Sequence, residues 1–127
     1  MGYSPKMYIV VRRDLEMPTG KLAAQVAHAA LRLFKRIAVT YDWLESRNEL
    51  WEDYFNDEKG NEAKIVLGCK DSFEIMELCE LCDLNRIKYE MVVDSAKTVF
   101  KEPTLTCIGI GPVTKEQEIL FKHLKLY

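Results

Sequence analysis

No apolar run in this 127-residue chain approaches the roughly 20 residues that a membrane-spanning helix requires. The opening MGYSPK carries no apolar segment of the signal-peptide kind, which predicts a protein that is not secreted. It begins Met-Gly, yet Lys6 stands where a myristoylation signal needs Ser or Thr. Histidine is scarce: His28 and His123 are the whole supply, without a paired-histidine spacing for zinc. There is no Gly-x-Ser-x-Gly elbow, and no Gly-x-x-x-x-Gly-Lys-Ser/Thr loop to cradle a nucleotide phosphate. The four cysteines (Cys69, Cys79, Cys82, Cys107), lacking a secretion signal, read as reduced thiols of a cytosolic protein. Cys79 and Cys82 do make a Cys-x-x-Cys, but inside a predicted helix, away from the helix N-terminus that lowers a thiol pKa. Core packing is therefore the expectation, and no metal or cofactor is expected.

What is present is concentrated in Tyr8 to Phe34, YIVVRRDLEMPTGKLAAQVAHAALRLF. A β-branched run ends in charge, and a Gly-Lys pair then opens an almost unbroken apolar helix. The polar side chains of that helix, Lys21, Gln25, His28 and Arg32, recur at spacings of four, three and four. At 3.6 residues per turn they form one file. A surface helix has a broad polar side, so the pattern predicts a helix buried on most sides, with this file turned toward a cleft.

Charge is unevenly spread although the net value is only −2. Residues 1–36 hold seven cations, Arg12 and Arg32 among them, against Asp14 and Glu16, a balance of +5. Residues 37–63 carry −6 and residues 64–127 carry −1. A polyanion is steered to the first third of the chain and repelled by the second; two ordinary solvated faces would give the same tally.

The periodicities predict one domain over residues 1–127, without repeats or linkers. Strands are expected at 7–12, 64–69, 88–93 and 104–110, the last ending at Gly111-Pro112. Helices are expected at about 21–41, over the acidic aromatic stretch 42–62, from Asp71 or Ser72 to Leu84, and at 115–124 behind a Thr114/Gln117 capping box. This alternation is an α/β fold. No helix separates the third and fourth strands, so that pair is expected to be antiparallel and the sheet mixed. Within 42–62, Trp43, Trp51, Tyr54 and Phe55 recur at helical spacing and predict a core-facing helix, the alternative being an exposed docking surface.

Three features bear on chemistry. The first N–H groups of a helix are unpaired and partly positive, so the Gly20-Lys21 pair makes a site for a phosphate or a developing oxyanion. Asp94 closes the third strand, Thr98 follows four residues later, and Thr106 lies on the next strand. Ligands of open α/β sheets collect at the carboxyl ends of strands, where a carboxylate, two hydroxyls and an ammonium can meet.

Taken together, VVRRDLEMPTGKLAAQVAHAA, KIVLGCKD, VVDSAKT, TCIGIGP and the terminal HLKLY resemble the type II, archaeal and eukaryotic-type peptidyl-tRNA hydrolases. The resemblance implies a three-layer α/β/α sandwich on a four-stranded mixed β-sheet, commonly a homodimer, in the cytoplasm. It implies hydrolysis of the ester joining a peptide to the terminal ribose of a tRNA. Catalytic roles fall by that resemblance on Lys21, Asp94, Thr98 and Thr106, and substrate contacts on Gln25, His28, Arg12, Arg32 and Lys97. The family's Asp-Ala-Gly turn is Asp94-Ser95-Ala96 here, and Val99 takes a position that is usually polar. A relative that binds RNA or a protein partner with weakened turnover is the alternative function.

Overall fold

The computed structural model describes residues 5–40, 53–55, 62–96 and 99–127. Most of the expected helix over 42–62 lies outside the described residues, where only 53–55 are seen, as a helical turn. The elements run β1 (Lys6–Arg12), α1 (Thr19–Thr40), β2 (Lys64–Cys69), α2 (Ser72–Leu84), β3 (Tyr89–Asp94) and β4 (Thr104–Val113). A short 3₁₀ helix (Glu116–Phe121) and β5 (Lys125–Leu126) follow.

The strands form one mixed, open sheet in the order β3-β4-β1-β2-β5. β1 is parallel to β2 and antiparallel to β4, and β3 and β4 are antiparallel as expected. The sheet has five strands rather than four. The missed strand is two exposed residues that pair with Leu67 and Gly68 of β2. Two residues carry no alternation to read; β5 exists because β2 offers it an edge. The helix expected at 115–124, just ahead of β5, shortens to the 3₁₀ turn Glu116–Phe121. The capping box survives that change: Gln117 N–H donates to Thr114 Oγ1 at 3.1 Å and Thr114 N–H to Gln117 Oε1 at 2.9 Å. β4 likewise runs on through Gly111-Pro112 to pair Val113 with Lys6, across a register shift in β1.

β1 is central and covered on both faces, which is why its apolar run is continuous. Met7, Ile9 and Val11 join a core with Ala29 and Leu33 of α1, while Tyr8 and Val10 join another with Ile75, Leu78 and Cys82 of α2. Burying side chains such as Leu33 or Ile75 stabilises the fold by about 1.5–3 kcal/mol each. Asp71 caps α2 by accepting from the N–H of Glu74 at 3.0 Å.

How closely α1 sits on the sheet is set by two small residues. A Cβ on Gly109 of β4 would stand 2.9 Å from the carbonyl oxygen of Ala29, so only glycine admits the helix at this distance. The prediction of a helix buried on most sides is not met, however. Among the described residues α1 buries Ala29, Leu33 and Ile37 and sets Phe34 against Phe55 of the 53–55 turn, ring centres 5.5 Å apart, while Leu31 is 57% and Phe34 still 43% exposed. Alanines at 23, 24 and 27 are exposed as well; an alanine adds too little apolar surface to demand cover.

Candidate active site

α1 runs antiparallel to the edge strand β3, so its first turns lie over the carboxyl end of that strand. There the Nζ of Lys21 sits 2.6 Å from Oδ1 of Asp94, and Nε2 of Gln25 donates to the same oxygen at 3.2 Å. The backbone N–H of Ala96 donates to Oδ2 at 2.9 Å, closing a turn of the Asx kind. A carboxylate has about four acceptor sites. Three are filled among the described residues, and one on Oδ2 is left for a water.

Thr106 reaches this group from below. Regular alternation on β4 would point it at the α2 face with Ile108 and Ile110. The register steps from Val92↔Cys107 to Val93↔Leu105, so Thr106 is the extra residue of a β-bulge, a device that re-aims side chains. Its hydroxyl lies 2.6 Å from Oε1 of Gln25 and 3.3 Å from the carbonyl of Val92. The amide of Gln25 has only one sensible orientation: Asp94 accepts only, so the NH₂ faces Asp94 and the oxygen faces Thr106. The hydroxyl therefore donates to Gln25, which donates to Asp94. Thr106 is wholly buried and touches neither Asp94 nor the cleft. The Sγ of Cys107 lies 3.5 Å from the Gln25 carbonyl.

The ammonium of Lys21 holds the Asp94 carboxyl below its ordinary value, burial opposes this, and the Ala96 and Gln25 donors add to it. Their side chains are only 12% and 10% exposed, so the pair is made in a largely dry corner. Ala96 occupies left-handed backbone at φ 66°, which costs a residue with a Cβ about 1–2 kcal/mol.

A cleft of about 530 Å³ opens beside the pair, lined among others by Pro18, Gly20, Ala24, His28 and Val99. A Cβ on Gly20 would meet nothing within 4 Å, so the apo protein needs no glycine there, whereas anything entering the cleft gains the room. The first-turn N–H groups of α1 have no intrahelical acceptor and add partial positive charge at that end. The Lys21 ammonium also stands 5.6 Å from the centre of the Phe100 ring.

Of the residues expected from sequence, Lys21, Gln25, His28 and Asp94 line this one cleft. Thr106 supports it from behind. Arg32 is exposed further along α1. Arg12 is engaged elsewhere, bidentate to Asp14 at 3.0 and 2.6 Å and donating to the Leu105 carbonyl at 3.0 Å. Thr98 and Lys97 lie outside the described residues. Sequence reasoning passed over Pro18 and Ala24 of the cleft wall and the Ala96 amide; alanine and proline announce no chemistry, and a backbone donor has no residue type at all.

The cysteines stay out of the chemistry. All are buried and free, and burial pushes Cys69 and Cys82 up to about 12 and Cys107 to about 11. Among the described residues no three His, Cys, Asp or Glu side chains converge as metal ligands.

A family model described as peptidyl-tRNA hydrolase PTH2 matches residues 5–127. The chain is 39% identical over 116 residues to a peptidyl-tRNA hydrolase of Methanopyrus kandleri, 88% of each chain. It is 37% identical over 112 residues to one of Thermoplasma acidophilum, again 88% of each. Over 109 residues it is 37% identical to one of Saccharolobus islandicus, covering 84% of this chain and 85% of that one.

Proposed function

The chain belongs to the peptidyl-tRNA hydrolase PTH2 family, and on that premise we propose that it hydrolyses the ester between a peptide and tRNA, with Lys21 and Asp94 as the reacting couple. The observation that carries this reading is the 2.6 Å ion pair at the cleft wall, held by Gln25, Thr106 and Ala96. A water on the open site of Asp94 Oδ2 attacks the ester carbonyl and gives its proton to the carboxylate. The C–O bond to the ribose then breaks, and the Asp94 carboxyl returns its proton to the departing ribose oxygen.

A carboxylate this firmly paired is a weak base. Its basicity rises when the Lys21 ammonium turns toward the new oxyanion, so the two charges change partners in the same step. This favours the transition state over the ground state, which is what accelerates the reaction. General-base help is worth about 10²–10⁴ in rate and an oxyanion donor about 10²–10³. Gln25 and Thr106 act as positioning residues. His28, on the rim, contacts substrate, with Thr98 and Lys97 assigned to the same site by family likeness. Family likeness also supports a single cytoplasmic domain that pairs as a homodimer. The two cores, one against each of α1 and α2, support a three-layer arrangement.

Cleavage of peptidyl-tRNA by the wild type, Asp94→Ala and Lys21→Ala tests the reading. Asp94→Ala is expected to lose at least about a hundredfold in kcat, and unchanged turnover would sink the assignment. Lys21→Ala is expected to lower kcat at saturating substrate. A rise in KM alone would instead make Lys21 a phosphate anchor.

A further inference from the structure

The polar file of α1 does not stop at the cleft. It continues through His28 and Arg32 to Arg36, whose guanidinium pairs with Glu90 at 2.9 Å and stands 5.6 Å from the Tyr89 ring. From Lys21 to Arg36 is fifteen residues, or about 22 Å of helix. At that far end a hollow of about 320 Å³ is lined by Arg36, Arg86, Lys88, Tyr89 and the acidic Asp83, among others. We propose that this end of the α1–β3 edge is a second RNA contact, in which Arg86 and Lys88, with Arg32 and Lys35 alongside, hold backbone phosphates of the tRNA whose ester lies in the cleft. The inference rests on the function proposed above and adds where the rest of the substrate lies.

Three observations carry it. First, four cations at this end carry no carboxylate partner among the described residues. Lys6, Arg12, Lys21 and Arg36 each pair with a carboxylate, whereas Arg32, Lys35, Arg86 and Lys88 are exposed and make no ion pair among the described residues. Glu90 is occupied by Arg36 and Asp83 by the Tyr89 hydroxyl. Of the charged residues lining the hollow, three are cations, Arg36, Arg86 and Lys88, and one is acidic, Asp83. Second, Arg86 has left-handed backbone, φ 55°, one residue past the Asn85 cap of α2. Glycine is the favoured residue there. Glycine would avoid that backbone cost; the cation that stands there instead has its charge at the favourable C-terminal end of α2 and its side chain free to face the hollow. Third, the cations trace one line that leads into the cleft. A polyanion anchored by its ester in that cleft fits such a line, since exposed cations on a track draw in and align a phosphate backbone.

The test is the affinity of deacylated tRNA measured against salt, for wild type, the double variant Arg86→Gly/Lys88→Ala, and Lys70→Ala/Lys125→Ala. The last pair changes charge equally on the opposite edge of the sheet. Arg86→Gly removes the charge while relieving the backbone, so its melting temperature is expected not to fall, and lost affinity cannot be read as lost structure. Each phosphate contact contributes about one to the slope of log K against log salt. Arg86→Gly/Lys88→Ala is expected to lower the slope by about two and to weaken binding about tenfold at low salt, with the opposite-edge pair near wild type. An unchanged slope, or an equal drop in the opposite-edge pair, overturns the proposal. A protein that binds tRNA with the expected slopes but cleaves no peptidyl-tRNA overturns the proposed function instead and leaves this contact standing.

Discussion

The two ends of the α1–β3 edge treat charge and backbone strain in opposite ways. At the Asp94 end the cation is half-buried and committed: Lys21 lies 2.6 Å from a carboxylate fixed by Gln25 and Ala96. At the Tyr89 end Arg86 and Lys88 are exposed and have no carboxylate partner among the described residues. Each end also holds a non-glycine residue at positive φ, Ala96 at 66° and Arg86 at 55°. A buried ion pair survives only if its remaining hydrogen bonds are filled, and it works through geometry. Exposed cations work through a field that salt screens within about 10 Å. On the proposed function the first end serves the reaction, and on the proposed RNA contact the second serves capture.

The sharpest way to break this comparison lies beneath the first end. Thr106→Val keeps the shape but leaves the buried Gln25 oxygen without a donor, at a cost of about 1–3 kcal/mol. It also frees the amide to turn. We expect a lower melting temperature and a fall in kcat larger than any change in KM, with Thr106→Ser restoring both. If Thr106→Val affected stability alone, the chain of bonds through Gln25 would be structural only.

Acid titration probes the same end more gently. The Asp94 carboxyl titrates below its ordinary 3.8 in the folded protein, so its ion pair contributes stability above that pH and loses it as pH falls through the lowered folded value. The stability gap between wild type and Asp94→Asn is expected to be steady at neutral pH and to close below 3.8. For the same reason Asp94 gives kcat/KM no acid limb between pH 5 and 7; a limb there would have to come from another group.

The smallest effect belongs to the backbone. Ala96→Gly removes a left-handed cost of about 1–2 kcal/mol and adds about 0.5–1 kcal/mol of unfolded-state freedom. The net is a melting temperature raised by a few degrees at most, with turnover kept, because the Ala96 N–H still donates to Asp94. Arg86→Gly is its counterpart: stability is likewise kept, but tRNA affinity falls. Equal behaviour of the two glycine variants toward tRNA would erase the distinction between the ends.

Much of this was legible in the chain. The continuous run MYIVVR marks a strand covered on both faces, the Asp71 and Thr114 caps are local and read correctly, and the missing helix after β3 implies an antiparallel pair. The charged residues of the site were legible too, as were Gln25 and His28 from their four-three spacing. What escaped reading depends on partners far away in sequence. β5 is two residues with no pattern of their own. The exposed outer face of α1 reads as core because alanine and valine look alike in a hydropathy pattern, whatever covers them. The split of the polar file, Lys21 and Gln25 committed, Arg32 exposed, follows from where β3 ends.

By itself the sequence determined the elements, their caps and the residue types able to do ester chemistry, because capping and amphipathic period are local properties of a few turns of chain. Only the tertiary structure decided that Thr106 would act on Asp94 through Gln25. That needed a bulge between β3 and β4, and a glycine at 109 that lets α1 approach the sheet. A bulge is a mismatch between two strands, and a close approach is a distance between a helix and a sheet. Neither is a property of any one segment, so neither can be read before the segments meet.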